Sequence, residues 1–67
     1  MKGVHNMIDH ITRFTKGSRA DIKVYYKGGK TRNFRENDNL PKTVWEILIN
    51  GMCETKYTDS GKVEYFR

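Results

Sequence analysis

Residues 4–17 read VHNMIDHITRFTKG, and whether they coil or extend decides the fold. Val4, Met7, Ile8, Ile11 and Phe14 recur at spacings of three, one, three and three, the stripe of an amphipathic helix. Asn6 stands where a cap belongs, and Asp9 follows near the positive end of the helix dipole. Gly17 suits the position just past a helix end. These signals predict a helix over residues 7–16. The competing reading is a strand, because Thr12, Phe14 and Thr15 favour extended backbone. The helix gives the order α-β-β-α-β-β; the strand gives β-β-β-α-β-β. Either way the expectation is one small α+β domain over residues 1–67, with helices packed on an antiparallel sheet of two hairpins.

Moving outward, DIKVYY (residues 21–26) alternates, with Ile22, Val24 and Tyr26 on one face. Residues 27–29, Lys-Gly-Gly, interrupt it, and residues 31–36 follow as a partner strand. A two-residue turn would set Ile22 against Arg35. A three-residue loop with Gly29 in the left-handed region pairs Ile22 with Phe34 and Asp21 with Arg35, so both faces make chemical sense. Further on, Asn39 is expected to cap a second helix with Pro41 in its first turn. Leu40, Val44, Ile47 and Leu48 are its apolar stripe, widened by Trp45, and Gly51 ends it. Residues 52–58 and 62–66 then read as a second hairpin around Asp59-Ser60-Gly61. A three-residue loop there pairs Tyr57 with Val63, Lys56 with Glu64 and Thr55 with Tyr65.

The two hairpins share Tyr, Gly, Lys, Phe and Arg at an offset of 32 residues. A duplication should keep its core face. Aligned with Ile22, Val24, Tyr26 and Phe34 are Glu54, Lys56, Thr58 and Phe66, which are mostly polar. Convergent turn chemistry explains the likeness better.

Charge is the main pointer to function. Residues 13–35 hold eight basic side chains and one acidic one, +7 in a chain whose total is +5. The face of the first hairpin turned from the core carries Lys23, Tyr25, Lys27, Thr31, Asn33 and Arg35. Lysine and arginine attract phosphates, tyrosine stacks on bases, and asparagine and arginine read base edges. Arg13, Lys16, Arg19 and Lys30 would extend the patch, with Lys30 and Arg32 toward the core side. The expected partner is DNA or RNA. The alternative is an inhibitor or adaptor of the phage or mobile-element type that docks on an acidic protein surface. Equally, alternating Lys and Thr simply solvate a sheet face and guard an edge.

Other chemistry finds little support. His5 and His10 do not share a helical face, and nothing brings them to Cys53 as metal ligands. Asp9 beside His10 makes no acid–base pair on a helix, where adjacent side chains point apart. GGKT (residues 28–31) lacks the first glycine of a phosphate loop, since position 24 is Val. Hence no enzyme activity, metal or cofactor is expected. Trp45, Tyr57, Tyr65 and Phe66 are expected mostly in the core, with Tyr25 the best candidate for an exposed aromatic. One cysteine allows no internal disulfide and suits a cytoplasmic setting. No run approaches the roughly 18 apolar residues of a membrane span. A core this small invites stabilisation by a homodimer.

Overall fold

Ile8–Lys16 form a strand, β1, not a helix. The computed structural model describes residues 7–67; Val4 and Asn6, which entered the helix reading, and His5, weighed as a metal ligand, lie outside them. A β-bulge produces the helix-like spacing. Ile8 pairs with Tyr26 but His10 pairs with Tyr25, so Asp9 is an extra residue. An inserted residue restores one face at i and i+3. Ile8 and Ile11 therefore both reach the core, 7% and 0% exposed. Phe14, the next member of the supposed stripe, falls on the other face, between Asp21 and Val63.

After β1 come β2 (Arg19–Tyr26), β3 (Thr31–Arg35), α1 (Lys42–Asn50), β4 (Cys53–Thr58) and β5 (Gly61–Phe66). The order is β-β-β-α-β-β, and the sheet runs β3-β2-β1-β5-β4. Gly17 is a turn residue of the β1–β2 hairpin, at φ 62, rather than a helix terminator. β1 is central and pairs antiparallel with β2 on one side and β5 on the other. α1 carries the chain from one edge strand to the opposite one.

The first hairpin has the register its side chains dictate. Ile22 pairs with Phe34 and Asp21 with Arg35, and Gly29 closes a three-residue loop at φ 95. The second does not. Tyr57 pairs with Lys62, Lys56 with Val63, Thr55 with Glu64 and Glu54 with Tyr65, around a two-residue Asp59-Ser60 turn. Two forces set that register. Phe66 must lie beside Ile11 in the core, where it is 3% exposed, and this turns Val63 and Tyr65 to the far face. The Thr58 hydroxyl also accepts from the N–H groups of Ser60 and Gly61 and donates to the Gly61 carbonyl. The loops differ in length, and β2 and β4 turn their aligned residues to opposite faces although Phe34 and Phe66 share the helix side, so the hairpins are not equivalent units.

The core lies between α1 and one face of the sheet: Ile8, Ile11, Ile22, Val24, Leu40, Val44 and Phe66, flanked by Tyr26, Phe34, Ile47 and Leu48. α1 begins at Lys42 with Pro41 in the cap position and no side-chain cap bond, so Asn39 is not its cap. The Pro41 carbonyl accepts from Val44 and Trp45 instead. Gly51 ends the helix as expected, its N–H bonded to the Ile47 carbonyl. Trp45 does not widen the buried stripe; it is 42% exposed. Tyr57, expected in the core, is 78% exposed, because α1 does not extend over β4.

Candidate nucleic-acid interface

The sheet face without the helix is built by strand alternation. From β3 it presents Thr31, Asn33 and Arg35; from β2, Asp21, Lys23 and Tyr25. From β1 come His10, Thr12, Phe14 and Lys16, from β5 Val63 and Tyr65, and from β4 Glu54 and Lys56. Three rings cross the middle of this face. His10 stacks on Tyr25 with centroids 4.2 Å apart and on Tyr65 with centroids 4.7 Å apart, at interplanar angles of 15° and 18°. The spacings match the roughly 4.8 Å between paired strands, so the ladder follows from pairing β2, β1 and β5.

The bulge also orients the middle ring. His10 Nδ1 lies 2.7 Å from Asp9 Oδ2. On a helix these neighbours would diverge; here the extra residue lets the carboxylate hold the imidazole. The His10 side chain is 20% exposed, held between the two tyrosines. Tyr25 is likewise half-buried.

Cations surround the ladder. The Lys23 ammonium lies 5.2 Å from the Tyr25 centroid and the Arg67 guanidinium 5.8 Å from that of Tyr65. Lys16, Arg19, Arg35 and Lys56 share the face, against the carboxylates of Asp9, Asp21 and Glu54. Arg19 sits 3.6 Å from Asp21, which partly neutralises it.

The basic run of residues 13–35 is thus divided by the sheet. Lys23, Tyr25, Asn33 and Arg35 share the open face, and Lys16 and Arg19 adjoin it at the β1–β2 turn. Lys27 lies in the loop beyond β2, exposed, with its N–H bonded to the Met7 carbonyl. Lys30 closes that loop through its carbonyl to Tyr26. Arg32 is on the helix side, 5.0 Å over Phe34.

Arg13 is also on the helix side, so it does not extend a patch from a helix end. Its Nε donates to Glu64 Oε1 at 2.8 Å and its Nη2 to Oε2 at 3.2 Å, while Glu36 stands 3.4 Å from Nη1. The hydrogen bond to Glu64 raises the Arg13 pKa against the opposing effect of burial. The same bond holds the Glu64 carboxyl below the ordinary glutamate range, again against burial.

Sequence reading missed His10, Phe14, Val63 and Tyr65. The signal present was aromatic content in segments of high strand propensity; the bulge and the β1–β5 pairing carried no local mark. Among the described residues no cluster of His, Cys, Asp and Glu is arranged to hold a metal ion, and no helix is long and apolar enough to cross a membrane. Compared with protein-family models, curated proteins and solved structures, the chain matches none.

Proposed function

We propose that the protein binds single-stranded nucleic acid on the helix-free face of its sheet. The observation that carries this reading is the Tyr25–His10–Tyr65 ladder flanked by cations. Aromatic rings stack on bases of any sequence, and a surrounding basic surface tracks the phosphates. The far face of Tyr25 turns toward β3, where its cross-strand neighbour is the small, exposed Thr31. The Lys23 ammonium lies over the ring at 5.2 Å, so a base stacked there would displace this flexible side chain toward the neighbouring phosphate. Asn33 and Arg35 on the same strand as Thr31 offer hydrogen bonds to the base edge. A duplex hides its base faces, so it would gain only the phosphate contacts.

The test is binding of labelled oligouridine and oligothymidine by fluorescence anisotropy over a salt series. With about five phosphate contacts the log–log slope is about −3.5 for a single strand. Tyr25→Ala is expected to weaken binding by about 5- to 150-fold, the value of one lost base stack, with unchanged circular dichroism. Tyr65→Ala should act in the same direction. Absence of binding at low salt, or full affinity in a folded Tyr25→Ala variant, would refute the reading. Nuclease-resistant recovery of one stoichiometric protein would point instead to an acidic protein surface as the partner.

A further inference from the structure

We propose that two copies of the protein associate through antiparallel pairing of β4 with β4, on a two-fold axis at Thr55. The inference stands on the free edge of the sheet and does not depend on the nucleic-acid reading. All six residues of β4 are exposed, on both faces. Met52 and Arg67 exchange both backbone hydrogen bonds, Met52 N–H to Arg67 O at 2.8 Å and Arg67 N–H to Met52 O at 3.0 Å. In an antiparallel ladder such pairs alternate. Glu54 and Lys56 therefore bond to β5, and Cys53, Thr55 and Tyr57 turn their N–H and C=O groups outward. Among the described residues no strand takes them up.

The opposite edge is guarded. On β3 the Arg35 N–H is taken by Asp38 Oδ2 at 2.8 Å. Residues 30–35 hold Lys30, Arg32 and Arg35 and no acid, so a second β3 is repelled. β4 is neutral, with Glu54 and Lys56 alone charged.

Charge then selects the register. With Thr55 opposite Thr55, Cys53 lies opposite Tyr57 in hydrogen-bonded pairs. Glu54 lies opposite Lys56 of the second copy, and Lys56 opposite its Glu54. These are non-hydrogen-bonded pairs, where side chains approach most closely. A shift of one step sets Lys56 against Lys56 or Glu54 against Glu54, and larger shifts shorten the overlap. The interface is self-complementary, as a closed two-fold dimer requires. It also covers part of Tyr57 and joins the two helix-free faces into one sheet surface.

The experiment is sedimentation velocity over a concentration series, with circular dichroism as the folding control. Wild type is expected to dimerise. Lys56→Glu and Glu54→Lys, each turning both cross-axis pairs into like charges, should each weaken association by about tenfold or more. The double variant Glu54→Lys/Lys56→Glu should restore it. In a Cys53→Ser background, Thr55→Cys should form a covalent dimer on mild oxidation, because the two positions face each other across the axis. A monomer at every concentration overturns the proposal, and so does a double variant no better than the singles. A polymer that grows with concentration also overturns it, since it would mean β4 pairing with β3 of the next copy.

Discussion

Replacing Arg13 by Met separates the structural from the functional half of the basic run. Methionine keeps an unbranched apolar stem over Phe66, whose ring centroid lies 5.1 Å from the guanidinium. It removes both fork bonds to Glu64. The Glu64 side chain is 12% exposed and that of Arg13 23%, so the carboxylate is left poorly solvated. Charge-assisted bonds in such partly buried pairs contribute about 1.5–3 kcal/mol, and their loss leaves Glu64 only the longer 3.9 Å contact to the Lys62 ammonium. The half-exposed Glu36 contact adds less than about 1 kcal/mol. A destabilisation of about 2–3 kcal/mol is expected, roughly a 10–20 °C fall in Tm for a domain this small. Urea unfolding followed by Trp45 fluorescence measures it, and a double-mutant cycle with Glu64→Gln should return a coupling of at least about 1 kcal/mol. The pH profile gives a second reading. Glu64 has its pKa lowered in the folded state, chiefly by the Arg13 hydrogen bond. Its stabilisation is therefore full above the ordinary carboxyl range and is lost as pH falls through the lowered folded-state value. Without Arg13 that acid-side loss shrinks. A coupling under about 0.5 kcal/mol, or parallel pH profiles below about pH 5, would refute the reasoning. Single-strand affinity should stay within about twofold, since Arg13 lies on the helix side of the sheet.

Four further outcomes are expected. Gly61→Ala should destabilise by about 2 kcal/mol or more in thermal melts, because a Cβ there would lie 2.3 Å from the Thr15 carbonyl and 3.2 Å from the Phe14 ring. Val44→Ala removes two methyl groups from a fully buried helix side chain and should cost about 2 kcal/mol in urea unfolding. Thr58→Val takes the hydroxyl from the β4–β5 turn and should cost about 1 kcal/mol, with amide exchange rising at Ser60 and Gly61. Lys23→Ala should weaken oligonucleotide binding alike for all sequences and make the salt slope shallower by about 0.7, without a change in Tm.

Much of the fold is legible locally. The Ile22–Phe34 register is decided by residues a few positions apart, and so are the three-residue loop at Gly29 and the helix Lys42–Asn50 that Gly51 ends. The misreadings of the first segment and of the second hairpin share a cause. Around Asp9, an inserted residue gives Ile8 and Ile11 the spacing of a helix inside a strand. At Asp59, the hairpin's own apolar residues favour a three-residue loop, but Phe66 is needed beside Ile11, 55 positions earlier in the chain.

The candidate surface divides the same way. Composition and alternation alone determined that residues 13–35 are strongly basic and that Lys23, Tyr25 and Arg35 share a face. They also determined a small α+β domain with one secure helix. Only the tertiary structure decided that β1 lies between β2 and β5, and this pairing puts His10 between Tyr25 and Tyr65 and Arg13 against Glu64. The physical reason is that alternation assigns each side chain to a face of its own strand. Which strands then lie side by side depends on burying Ile11, Val24, Val44 and Phe66 together, a condition no single segment contains.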